Sequence, residues 1–201
     1  MFWQDNHIKF DRIPKDEYIN FDWKSDKWQP IDFSKCRYLI IWHHNNKDKT
    51  FDNLPHIPDL EYLEINWSNS ISLEGLSKYK KLKRLELHCC IKLENLDGVE
   101  AVNKGIEYIQ INQSKKLKGH ERIIKLQNLS TLCFNDCGTV DNIYFICKIP
   151  YLKDFRFVNT NVLNGDLKPI FQHPKIKNTG FLNKRHYSHR DTEIDKLIAA
   201  R

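Results

Sequence analysis

Apolar and polar residues along this chain follow one short scheme that returns at regular intervals. LEYLEINWS, at residues 60–68, carries apolar residues at its first, fourth and sixth positions and a small polar residue at its ninth. The scheme comes back as LKRLELHCC from 82, IEYIQINQS from 106, LSTLCFNDC from 129 and LKDFRFVNT from 152. With the fourth position as marker, the series is Leu39, Leu63, Leu85, Ile109, Leu132, Phe155 and Thr179, spaced 22 to 24 residues apart. Side chains alternate along a strand, so both apolar residues of L-x-L point to one side. Pairs such as Leu63/Ile65, Leu85/Leu87, Ile109/Ile111 and Leu132/Phe134 therefore predict parallel strands, about 4.8 Å apart, stacked over one core. Between them, SLEGLSKYKK, NLDGVEAVN and HERIIKLQN read as short helical or 3-10 returns along the other side.

No single turn of this kind buries its apolar face; stacking makes the core. The period and the pattern L-x-x-L-x-L-x-x-(N/C/S/T) together are the leucine-rich signature. The fold class is α/β: a leucine-rich repeat solenoid with a parallel concave sheet of about seven strands and short helical or 3-10 convex segments. The array spans 36–183. Residues 1–35 hold no repeat but many aromatics (Phe2, Trp3, Phe10, Tyr18, Phe21, Trp23, Trp28, Phe33) and read as an N-terminal cap. A short hairpin is expected there, through IKFDRIPKDEYINFDWK. The last turn, IKNTGFLNK from 176, has lost its apolar marker, and 184–201 reads as a polar tail or capping helix starting at Asp191.

Composition narrows the class. With 201 residues the chain can bury a real core. It has no apolar run long enough for a membrane span, and MFWQDNHIKFDRIPKDE lacks a signal-peptide h-region. A soluble cytoplasmic protein is expected. Residues 1–80 carry 11 bases against 13 acids, and residues 81–201 carry 21 against 13. That asymmetry fits lysine on solvent-facing loops. No basic stripe interleaved with aromatics supports nucleic acid as a partner.

Candidate chemistry is sparse. Cys90 and Cys137 stand at the ninth position, where other turns carry Ser68, Ser114 and Thr160. They read as small inward residues with free thiols, two turns and roughly 10 Å apart, too far for a disulfide. Cys36 and Cys147 fall on apolar positions, which leaves Cys89 and Cys133 as the exposed thiols. No phosphate loop, dinucleotide fingerprint or nucleophile elbow occurs. His186 and His189 lack a third metal ligand. His43 and His44 are adjacent and so point to opposite faces. Cys133 and His88 lie in different columns, a poor nucleophile–base pair. No enzyme, no cofactor and no metal site are expected.

A curved sheet with ordered outward side chains is a binding surface. Its outward columns hold Tyr38, Tyr62, Arg84 and Tyr108, then Glu64, Glu86, Gln110 and Arg156, then Trp42, His88, Asn112 and Asn135. Large amphipathic side chains beside charges suit protein recognition, and these residues are the expected contact set. Residues 36–183 resemble a bacterial short leucine-rich repeat protein, and TNVLNGDLKPIF and FLNKRHYSH resemble the terminal repeats of small members of that class. Some such proteins are encoded beside polymorphic or contact-dependent toxins and are thought to act as immunity proteins. The resemblance implies a cognate toxin domain as partner, neutralised by stoichiometric binding, and a monomer is expected before the complex forms. A general scaffold or adaptor in protein assembly is the other reading.

Overall fold

A computed structural model describes residues 5–25, 31–102 and 104–201. Phe2, Trp3 and Trp28, expected in the cap, lie outside the described residues. The strands are β1 (Tyr18–Asp22), β2 (Tyr38–His44), β3 (Tyr62–Ser68), β4 (Arg84–His88), β5 (Tyr108–Asn112), β6 (Thr131–Asn135), β7 (Thr139–Val140), β8 (Asp154–Arg156), β9 (Asn161–Val162) and β10 (Asn178–Gly180). Two short helices occur near the C-terminal end, α1 (Lys168–Gln172) between β9 and β10 and α2 (Asp191–Ala199) after β10. Among the described residues, eight strands form one sheet in the order β1-β2-β3-β4-β5-β6-β8-β10, and β7 pairs β9 in a small second sheet. Every pairing is parallel.

The register reproduces the marker series. Leu39 opposes Leu63, then Leu85, Ile109, Leu132 and Phe155, and finally Thr179. The apolar markers are fully buried or nearly so, as are Ile41, Ile65, Leu87, Ile111 and Phe134 behind them. Thr179 tolerates the edge position because its Oγ1 donates to the Phe155 carbonyl at 2.9 Å.

The cap differs from the expected hairpin. Residues 18–22 run parallel to β2, with Ile19 opposite Leu39, so they add one more turn to the solenoid. The sheet therefore has eight strands where about seven were expected. This turn escapes the repeat pattern because Asp16 stands at its first apolar position, and Ile19 lies only 20 residues before Leu39.

Return segments include 3-10 turns at Leu76–Lys78, Val99–Ala101, His120–Lys125 and Tyr144–Lys148. Gly75 shows why some returns need glycine. Its φ is +92°, and a Cβ there would meet the Asp52 nitrogen of the preceding turn at 2.3 Å. At the far end, α2 begins at Asp191 as expected, with the Arg190 N–H donating to Glu193 Oε2 at 2.7 Å. Ile194 plugs the last turn.

Burial leaves acid-sensitive histidines in the stack. His44, His120 and His173 are nearly inaccessible, and burial pushes each below the ordinary value of 6.5. His120 Nε2 has no hydrogen-bond partner. Burial disfavours the protonated rings in the native state, whereas the unfolded chain protonates them near 6.5. Their contribution to stability is therefore intact above that pH and is lost as pH falls through it towards the native values. Melting temperature should fall between pH 7.5 and pH 5, and His120→Phe should shrink the drop. An equal drop in that variant would remove His120 from the account.

Candidate protein-interaction face

Outward columns flank the buried markers, and the register fixes them. Tyr38, Tyr62, Arg84, Tyr108, Thr131 and Asp154 form one row across the sheet, and Ile40, Glu64, Glu86, Gln110, Cys133 and Arg156 the next. Trp42, Asn66, His88, Asn112 and Asn135 form the third. The expected contact residues thus share one face of the sheet. They do not share one environment.

The first row is buried. Tyr38, Tyr62, Arg84 and Tyr108 are each no more than 4% exposed, whereas an accessible patch was expected. Two causes act together. Arg84 lies over the Tyr108 ring at 3.6 Å and 6.0 Å from the Tyr62 ring, so the row packs on itself. The N-terminal segment then covers it: Arg84 donates to the carbonyl oxygens of Asp5 and Asn6. Phe10 packs against Tyr18 and, edge-on, against Tyr62 at ring separations of 5.1 and 5.6 Å. Ile8 and Ile13 join the same apolar cluster.

The second row is tied internally. Arg84 Nε donates to Glu86 Oε1 at 2.6 Å, and the other carboxylate oxygen of Glu86 lies 2.9 Å from His88 Nε2. Glu86 is 8% exposed. Burial opposes its charge, but His88 and Arg84 outweigh burial and hold the carboxyl below the usual range. Tyr62 donates to Glu64, Tyr108 to Gln110, and Arg156 binds Asp154 through Nε and Nη2. Cys133, expected to be exposed, is 1% exposed, and burial pushes its thiol up to about 12. His88 is committed to Glu86 and Asn112, so no thiol–imidazole pair is assembled.

The third row is more open: Asn66 is 7% exposed and donates to Glu64, but Trp42, His88, Asn112 and Asn135 are only partly buried. Asn112 Nδ2 lies 2.8 Å from His88 Nδ1, Asn135 donates to Asn112, and the Val158 N–H donates to Asn135 Oδ1. This amide ladder floors a groove of about 630 Å³ whose rim includes Glu64, Gln113, Asp136 and Asn159.

The rim has a backbone cause. His43, Trp67, Cys89, Gln113, Asp136 and Asn159, each four residues after a marker, are all left-handed, with φ between 53° and 58°. The twist throws these side chains to the sheet edge and turns the next residue into the core. There Ser114 donates to the Cys90 carbonyl at 3.2 Å and Cys137 to the Ile111 carbonyl at 3.1 Å. Asparagine or aspartate accepts this conformation readily; tryptophan does so at a cost.

Trp67 is nevertheless there, 46% exposed, with its ring 5.4 Å from Trp42 and stacked on His43 at 5.3 Å. His43 is anchored in turn by Asp22 at 3.0 Å. Beside Trp67 lie Ile91, 58% exposed, and a hollow of about 450 Å³ that also includes Lys24 and Lys92. Trp42 belongs to the expected contact set, whereas Trp67, His43 and Ile91 do not.

Thiols sort by the same geometry. Cys36, Cys90 and Cys137 are buried, and burial pushes each up to about 12. Cys147, placed in the core from its apolar run, is exposed, because the 3-10 turn Tyr144–Lys148 directs Phe145 and Ile146 inward instead. Alkylation of the native protein should label Cys147 and Cys89 while sparing the other four. Early labelling of Cys133 on intact-mass analysis would contradict its burial.

The HYSH segment is part of the cap. His186 Nε2 lies 2.9 Å from the Val162 carbonyl, Tyr187 Oη accepts from the Val162 N–H, and His189 packs against Phe171. No group of three or more metal-ligating side chains occurs among the described residues, and no described helix is long and apolar enough to cross a membrane.

Among solved structures, the chain is similar to an internalin from Listeria monocytogenes, with a TM-score of 0.53 and 15% identity over 82% of this chain. The fold is a leucine-rich repeat solenoid. The chain spans 58% of that internalin's length. No protein-family model matches the sequence, and the comparison with curated proteins finds no match.

Proposed function

We propose that this leucine-rich repeat chain is a protein-binding module whose partner docks on the open edge of the sheet, with Trp67 as anchor. One observation carries the reading: a half-exposed tryptophan held in a left-handed conformation, stacked on His43 and flanked by Trp42. Rigid aromatics beside an apolar neighbour and a polar rim have the make-up of an interaction hot spot. Of the expected contact set, Trp42, Glu64, His88, Asn112 and Asn135 adjoin this edge or its groove, and Gln110 and Arg156 lie on the same face. Glu86 holds His88 in place from the neighbouring row, whereas Tyr38, Tyr62, Arg84 and Tyr108 form the buried row at the other end of the strands.

The sharper form of the proposal is an immunity protein, monomeric and cytoplasmic, that neutralises a cognate bacterial toxin by one-to-one binding. It rests on the resemblance of the repeats and closing segments to small bacterial members of that class. The adaptor reading draws on a second exposed region, Tyr144 and Tyr151 on and beside a return segment, each about half exposed. Co-expression with the toxin-bearing neighbouring reading frame separates the two. Rescue of growth supports immunity; complex formation without rescue supports an adaptor. In either case Trp67→Ala should weaken the complex by about 2 kcal/mol, roughly 30-fold, with an unchanged melt. A complex indifferent to Trp67→Ala would move the site elsewhere.

A further inference from the structure

We propose that the row Tyr38, Tyr62, Arg84 and Tyr108 is a second, peptide-binding site, which residues 5–13 of the same chain occupy as a displaceable strap. It lies about 16 Å along the strands from the Trp67 edge and does not depend on that surface.

The strap is seated as a ligand is seated. Phe10 inserts between Tyr18 and Tyr62, and Ile8 and Ile13 fill the flanks. The Arg84 guanidinium, held over Tyr108, reaches the main-chain carbonyls of Asp5 and Asn6. The strap's own N–H groups bond locally: Phe10 to Ile8, Arg12 to Lys9 and Ile13 to Phe10. Among the described residues no backbone ladder ties it to the sheet, unlike β1, whose strand pairs β2 along its length. A segment held by side-chain contacts alone opens at lower free energy than the core beneath it.

What the row recognises follows from those contacts. It takes an aromatic ring, an aliphatic neighbour and main-chain carbonyls four or five residues before the ring. The fitting partner is a short segment of another protein with that spacing, turned at its aromatic residue as the strap is through its 3-10 turn at Phe10–Arg12, displacing the strap. Its charge matters little, since Arg84 is already neutralised by Glu86.

Two measurements on the full chain test this. Native-state hydrogen exchange should show the amides of Arg12 and Ile13 exchanging at least 100-fold faster than those of β4; equal protection would make the segment part of the core and overturn the proposal. In the second, Phe10→Ala should weaken the strap's hold while the array melts normally. That variant should bind a synthetic peptide of residues 5–17 at least 10-fold more tightly than the wild-type chain, and Tyr62→Phe, which keeps the ring contact, should not abolish binding. A folded Phe10→Ala chain that ignores the peptide overturns the proposal. So does collapse of the array in that variant, because the strap would then be a structural cap.

Discussion

Leu85→Asp is expected to lower stability by about 3–5 kcal/mol and to unfold most of the solenoid. Leu85 is fully buried and sits in register between Leu63 and Ile109. A carboxylate there has apolar neighbours on both sides of the stack and no donor to meet it. Each turn of a solenoid gains its stability from its neighbours, so a lesion in the fourth of eight strands is felt in both directions. Thr179 shows what a polar marker requires: a sheet edge and a carbonyl acceptor, here that of Phe155. A circular-dichroism melt decides the matter. A variant melting within a degree or two of wild type would mean that the marker column is not the core.

The repeats were legible because period and alternation agree through turn after turn, and both arise from the same stacked core. Three features were not, each for a physical reason. The first strand lacks the leading apolar residue: Asp16 replaces it, so YINFD carries only half the pattern. The burial of the first outward row depends on a contact between Arg84 and Asp5, 79 residues apart. Local alternation says which side of a strand a residue takes, never what comes to lie on that side. Trp67 was concealed by alternation itself. Leu63, Ile65 and Trp67 all fall on inward positions if the strand continues unchanged, yet Ser68 also belongs inside. Those assignments conflict, and the left-handed residue at 67 is how the chain resolves them. The conflict was present in the repeat from the outset, since an inward ninth position lies three residues after an inward sixth. It could have marked the whole edge column, His43 to Asn159, as turned outward.

Arg84→Met is the second large effect, expected to cost about 3–5 kcal/mol although Arg84 lies on the outer face of the sheet. Methionine keeps much of the apolar volume, so the loss isolates the guanidinium. That group sits over the Tyr108 ring, reaches the carbonyls of Asp5 and Asn6, and bonds Glu86 at 2.6 Å. Without it, Glu86 keeps His88 but faces burial with half its partners gone. Its carboxyl, held below the usual range in the native protein, should rise. Sign follows from linkage: a depressed carboxylate contributes stability above its unfolded value, near 4.5, and loses it as pH falls through the native value. The deficit of Arg84→Met should therefore be largest near neutral pH and should narrow as pH falls below that range. Replacing both partners, Arg84→Met with Glu86→Leu, should recover a substantial part of the loss, because a buried pair exchanged for apolar groups no longer leaves a charge uncompensated. Urea denaturation of the two single variants and the double variant completes the cycle. Arg84→Met with an unchanged midpoint would return Arg84 to the solvent-facing role that the alternation of its strand first implied, and would leave the first row free to bind a partner directly.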